Sequence, residues 1–262
     1  MQFWRYYQDP LFDSSHVAGM WSFDHILLLA IFLLLAGFMF HFMMTRTLTQ
    51  REKILRGYAI FLILLEVTRV SWNLIVNDVV IWNDVLPLYT CGIFIVALPL
   101  SVTNTPLKQA SIGYIKISAT LSGLAFLLFP STALVDYPIW HYNTLQSFIM
   151  HTSMMITGIL YWLPPYQRTT KKDWFYFIGW VTVYGVAAGI VNTLTNSNLM
   201  FVGQPLANTP LVWVEMIVGP TLYGVFIILI HYLWGALMWG IATVAYDVSI
   251  KKVKSKQQMI DV

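Results

Sequence analysis

The stretch FDHILLLAIFLLLAGFMFHFM, residues 23–43, decides the fold. Its only charged residue is Asp24, at the very start, and it holds no lysine or arginine. At a rise of about 1.5 Å per residue it covers a hydrocarbon core about 30 Å thick. Similar runs recur along the 262 residues, and 10% of the chain is charged. A soluble domain carries about 25%. The expected fold is therefore all-α: a polytopic helical membrane protein with seven transmembrane helices. The spans read as 23–43, 54–76, 86–103, 110–129, 144–163, 174–195 and 211–240. The last exceeds one crossing, so it should tilt or run on into the cytoplasm.

Charge sets the direction. Arg46, Arg51, Lys53 and Arg56 lie between spans one and two, and Lys108 lies between three and four with Lys116 just beyond. Arg168, Lys171 and Lys172 lie between five and six, and Lys251, Lys252, Lys254 and Lys256 follow span seven. Segments 77–85, 130–143 and 196–210 hold no lysine or arginine. Short basic loops stay cytoplasmic. The N-terminus is expected outside and the C-terminus inside. Residues 1–22, with Trp4, Tyr6, Tyr7 and Trp21, read as an interfacial segment rather than a cleaved signal. Residues 23–246 read as the transmembrane domain and 247–262 as a basic cytoplasmic tail.

Direction converts position into depth. Cys91, the only cysteine, should lie about 8 Å below the outer boundary, and His151 about 10 Å below it. Glu66, Arg69 and Asn73 share one face of span two by their i, i+3, i+7 spacing. His25 and Asp24 stand at the mouth of span one, Gln146 precedes His151, Asn192 and Asn198 end span six, and Glu215 begins span seven. Ionisable groups inside a bilayer face a bundle interior or a wet cavity. These residues predict a polar cavity in the outer leaflet. Elsewhere the ionisable exceptions are His41, Lys116 and His231.

Each residue also has a plainer reading. Glu66 and Arg69 serve equally as a buried ion pair, Cys91 as a small hydrophobe, His151 as an interior histidine and the asparagines as turn formers. Taken together, Cys91 and His151 have the parts of a thiol–imidazole pair, with Asn192, Glu66 or Glu215 as the third group. One cysteine excludes an intramolecular disulfide and any multi-cysteine metal site. The spacing of His25, His141 and His151 fits no ligand motif, so no metal and no cofactor are expected. Membrane lipids are the expected partners, with no nucleic acid and no protein partner identified.

Four features carry a resemblance to a family. They are FDHILLL with His25; LPLYTCG; GLAFLLFP followed by LQSFIMH, which ends in His151; and YGVAAGIVNTLTNSNLMF followed by Gln204–Pro205. Over about residues 20–235 the chain resembles the YwaF-type bacterial integral membrane proteins, which are related to the eukaryotic transmembrane protein 164. The resemblance implies a seven-span helical fold in a bacterial plasma membrane. It also implies fatty-acyl chemistry, with Cys91 as acyl acceptor and His151 as base. The family usually shows Leu-Pro-Leu-His-Leu-Cys where this chain has Leu86 to Cys91, so Tyr89 replaces a histidine. A phenol is not a base near neutral pH.

Three function classes follow. One is thiol-dependent acyl transfer or acyl hydrolysis on a lipid, with Arg69 holding the headgroup. Another is binding or transport of a small polar solute in the same cavity. The third is a non-catalytic membrane partner.

Overall fold

A computed structural model describes residues 21–76, 80–130, 139–205 and 211–260. All but the last two residues of the expected interfacial segment 1–22 lie outside these. Every regular element among the described residues is helical. The order is α1 (Phe23–Met44), α2 (Leu48–Val76), the single turn α3 (Trp82–Val85), α4 (Thr90–Ser101), α5 (Lys108–Tyr114) and α6 (Thr120–Leu128). Then come α7 (Tyr142–Trp162), α8 (Lys171–Thr195), α9 (Leu211–Val218) and α10 (Pro220–Ile260).

Local sequence explains the ends. Ser22 caps α1 by accepting from the His25 amide at 3.3 Å. Thr170 and Asp173 form a reciprocal capping box at α8. Asn196 ends α8 in the left-handed region at φ 55°, a conformation asparagine tolerates. α5 and α6 are joined by a π-turn, Ile115–Ala119, into one continuous helical segment. The indole of Trp162 donates at 2.6 Å to the Lys116 carbonyl in that turn.

Among the described residues five helical segments are long and apolar enough to cross a membrane: α1, α2, α5–α6, α8 and α10. The sequence reading expected seven, and the difference has two causes. Residues 86–89 were counted into span three, but Leu86 and Tyr89 are extended and α4 begins only at Thr90. Its 12 residues reach about 18 Å. α7 has the length but not the hydropathy, because Asn143, Thr144, Gln146, His151, Thr152, Ser153 and Thr157 lie along it. Of its 21 residues 14 are buried, so protein rather than lipid surrounds it. α1, α2, α6 and the π-turn pack around α7. The outer helices leave apolar faces bare, among them Leu34, Phe38, Leu64, Val186 and Leu233.

The basic residues gather at one end of the bundle. There Arg56 donates to the Val102 carbonyl at 2.8 Å and Lys108 pairs with Glu52 at 3.1 Å. Lys116 donates to the Gln167 carbonyl at 2.8 Å and lies 3.7 Å from Asp173. Arg168 meets Asp247 at 2.8 Å. Outside the spans, burial pushes the Tyr166 phenol up to about 12. Glu66, Cys91, His151 and His231 each lie about three helical turns, roughly 16 Å, from this end. α4 is anchored at the basic end and, being short, starts near the middle of the bundle.

Candidate functional site

The site begins with the motif LPLYTCG. Residues Leu86 to Tyr89 lead into α4, and Gly92 in its first turn lies under the incoming chain. A Cβ at Gly92 would meet the Pro87 carbonyl oxygen at 2.1 Å. Only glycine permits that approach. It places Thr90 and Cys91 at the N-terminus of α4, before the first intrahelical bond, Ile93 N–H to the Tyr89 carbonyl at 3.2 Å. The first-turn amides of α4, those of Cys91 and Gly92 among them, precede that bond and have no intrahelical acceptor. The Tyr114 hydroxyl donates to the Thr90 carbonyl at 2.5 Å, and Tyr89 packs on Phe201 with centroids 5.7 Å apart.

α2 faces this helix start with an ion pair. Arg69 grips Glu66 through two bonds of 2.6 and 3.0 Å. Gln146 on α7 donates to the same carboxylate at 3.0 Å. α4 packs against α2, the helix that carries this pair. The polar seam between α2 and α7 continues outward. Tyr142 donates to the Leu65 carbonyl at 3.0 Å and contacts the Thr68 hydroxyl. Asn143 reaches Asn73 at 3.5 Å, and the other amide atom of Asn143, Oδ1, is buried with no hydrogen bond among the described residues.

His151 lies elsewhere on α7. Its ring stacks on Phe126 of α6, with centroids 3.6 Å apart and planes 10° from parallel. Its Nδ1 lies 2.7 Å from the Ser147 carbonyl, which can only accept, so Nδ1 carries the proton and Nε2 keeps its lone pair. No hydrogen bond joins it to Cys91 among the described residues. The reason is azimuth. Gln146 faces α2, and His151, five residues on, is turned about 140° further round the helix. Sequence depth matched the two residues; it did not fix which way each faced.

The remaining expected lining residues are tied to backbone or stand apart. His25 accepts from the Trp21 amide through Nδ1 at 3.0 Å and donates from Nε2 to the Leu127 carbonyl at 3.1 Å. Both nitrogens are engaged, and the ring joins α1 to α6. Asn192 binds both the amide and the carbonyl of Leu199, at 2.7 and 3.1 Å, and Asn198 does the same for Gln204, at 3.1 and 2.9 Å. The asparagines build the turn after α8. Glu215 sits in α9, one turn before Gly219, whose φ of 77° breaks the helix ahead of Pro220. No group of three or more His, Cys, Asp or Glu side chains converges among the described residues.

A further imidazole stands near the motif. His231 on α10 holds Nδ1 2.8 Å from the Ile227 carbonyl and Nε2 3.4 Å from the Thr90 hydroxyl. It is the imidazole that reaches the LPLYTCG segment. The signal was present, an ionisable residue inside a long apolar run, but a uniform depth count assigned it to the cytoplasmic half. A separate apolar groove between α1, α2 and α7 is walled by Met39, Met43, Ile54 and Leu160, with a Tyr58–Ser153 hydroxyl pair 2.7 Å apart at its side.

The helical bundle and this motif now stand beside known proteins. No curated protein and no solved structure matches the chain. The TMEM164 family's sequence model matches residues 20–241, most of the length, and the chain, a multi-pass membrane protein, belongs to that family.

Proposed function

We propose that the protein is a membrane-embedded acyltransferase or acyl hydrolase that works on a lipid through Cys91. The observation that carries this reading is the setting of Cys91 at the start of α4. It stands in the first turn, whose amides have no intrahelical acceptor, on a helix packed against α2, which carries the Glu66–Arg69 pair. Those free amides can donate to the carbonyl oxygen of an acyl group that the sulfur attacks, the arrangement that stabilises an oxyanion. Arg69 supplies the cation for a headgroup phosphate. A thioester splits one transfer into two easier steps. His151 remains the expected base, with its Nε2 lone pair free; reaching Cys91 requires a bridging water or a rotation of its ring away from Phe126. The basic loops support seven crossings, with α4 and α7 inside the bundle, the N-terminus outside and the C-terminus cytoplasmic, and the family resemblance implies a bacterial plasma membrane.

The test is intact mass. Purified protein is incubated with native lipid extract and compared with Cys91→Ala and His151→Ala. A mass gain of one acyl chain, lost in Cys91→Ala and reduced in His151→Ala, is expected. Absence of any adduct, with lipid turnover unchanged in Cys91→Ser, refutes the reading.

A second reading is solute binding or transport. The break between α9 and α10 beside Glu215 favours it, since discontinuous helices mark many transporter sites. Solute uptake into proteoliposomes that survives Cys91→Ala would establish it over the first.

A further inference from the structure

We infer that Thr90 and His231 form a hydroxyl–imidazole dyad, making Thr90 a second acyl acceptor beside Cys91. The inference goes beyond the Cys91 reading but rests on it for the class of substrate, a fatty-acyl ester.

The geometry has the parts of an activated nucleophile: a hydroxyl, a base within reach, and a third group that orients the base. His231 Nδ1 lies 2.8 Å from the Ile227 carbonyl. A carbonyl only accepts, so Nδ1 bears the proton and Nε2 is the lone-pair nitrogen. That nitrogen lies 3.4 Å from Thr90 Oγ1. The contact is long for a resting hydrogen bond, and such contacts tighten in substrate complexes. The hydroxyl is the donor, because Nε2 has nothing to give. The Thr90 backbone is pinned from the other side by the Tyr114 hydroxyl on its carbonyl. Tyr114 is itself fixed between Phe177 and Trp180, each with its ring centroid 6.1 Å away. Thr90 and His231 are both half-buried, so neither is sealed from a ligand.

Position adds to this. Thr90 opens α4, and the amides of the first turn have no intrahelical acceptor. A carbonyl attacked by Thr90 Oγ1 would turn its developing negative charge toward those amides. His151, by comparison, is stacked on Phe126 and makes no hydrogen bond to this segment among the described residues.

The step balances without a further reagent. The Thr90 proton passes to His231 Nε2 as Oγ1 bonds to the acyl carbonyl carbon. The carbonyl–oxygen bond of the donor ester breaks, and the departing alkoxide takes the proton back from His231. Acyl-threonine and a free alcohol result. Water or a second lipid hydroxyl then repeats the sequence in reverse and restores Thr90.

The experiment uses full-length protein in detergent with p-nitrophenyl decanoate as acyl donor, in a Cys91→Ala background. Neutral hydroxylamine separates the two chemistries, because it cleaves thioesters and spares oxygen esters. The expected result is an adduct that survives hydroxylamine and maps to Thr90. It should disappear in Thr90→Val, persist in Thr90→Ser, and form about a hundredfold more slowly in His231→Asn. The Thr90→Ser variant and a melting curve for each protein separate lost chemistry from lost folding. If wild type carries only a hydroxylamine-labile adduct on Cys91 and the Cys91→Ala protein carries none, the dyad is refuted and the acyl reading stands. If Thr90 is acylated at an unchanged rate in His231→Asn, the dyad is refuted as well. If no variant or parent protein is acylated, both the dyad and the acyl reading fall.

Discussion

Replacing Gly123 by alanine tests whether α6 and α7 are locked by backbone contact. The two helices approach through a pair of glycines. A Cβ at Gly123 would meet the His151 carbonyl oxygen at 2.3 Å and the Met155 nitrogen at 2.7 Å. A Cβ at Gly158 would meet the Thr120 nitrogen at 2.6 Å and its hydroxyl at 2.2 Å. Ordinary contact begins near 3.4 Å, and most of the opposing atoms are backbone, which cannot rotate away. The helices must part by about 1 Å. A gap of that size forfeits about a quarter to a half of each dispersion contact across it. Overpacking of this kind costs about 1–3 kcal/mol. The midpoint shift, at about 2–4 °C per kcal/mol for a chain near this size, should be several degrees downward. The second glycine supplies a sharper criterion. Once one alanine has separated the helices, the other meets less resistance, so the double variant should lose less than the sum of the singles. Tryptophan-fluorescence melting in one detergent reads all four proteins. A Gly123→Ala midpoint equal to the parent, or strictly additive losses, would refute the interlocked packing.

Gly92→Ala should push the Pro87 carbonyl away, open the turn before α4, and raise the rate at which maleimide modifies Cys91; an unchanged rate would sink that account of the motif. Asp173→Ala removes both the α8 cap and the anion facing buried Lys116, so it should cost about 3–5 kcal/mol. Lys116→Met should cost less, because Asp173 keeps its bonds to Thr170; melting curves with the opposite order would count against the pair. Gln146→Leu leaves the Glu66 carboxylate one donor short and should cost about 1–3 kcal/mol by the same assay. Arg168→Ala removes an exposed pair and should leave the midpoint unmoved; a clear drop would show that Asp247 anchors α10.

Much of the scaffold was legible because single helices carry their own signal. α1 reads directly from residues 23–43, since nearly every residue is apolar. Two spans were not legible as built, for opposite reasons. Leu86 and Tyr89 look like helix by composition yet are extended, and the cause is a contact between Pro87 and Gly92 that no hydropathy count contains. α7 is polar along its length because its neighbours, not lipid, supply its surroundings. The candidate site shows the same limit. Residue counting places Cys91 and His151 at similar depth, which says nothing of whether they meet. The angle around α7 decides contact, and it sends His151 to Phe126 and Gln146 to Glu66. His231 was visible as an ionisable residue in an apolar run. Its link to Thr90 spans 141 positions and belongs to the tertiary fold alone.

The burial of α7 also bears on how the chain is made. A helix with this many amides, hydroxyls and a histidine partitions poorly into lipid by itself. It needs protein partners already in the membrane to accept its polar groups. Its main packing partners, α1, α2, the π-turn and α6, all precede it in the chain. Synthesis order and packing order therefore agree: by the time α7 leaves the ribosome, the Glu66 carboxylate that accepts from Gln146 and the Phe126 ring that receives His151 have already been translated. In this protein most of the partners of its most polar long helix are made before it, and α10 closes over it last.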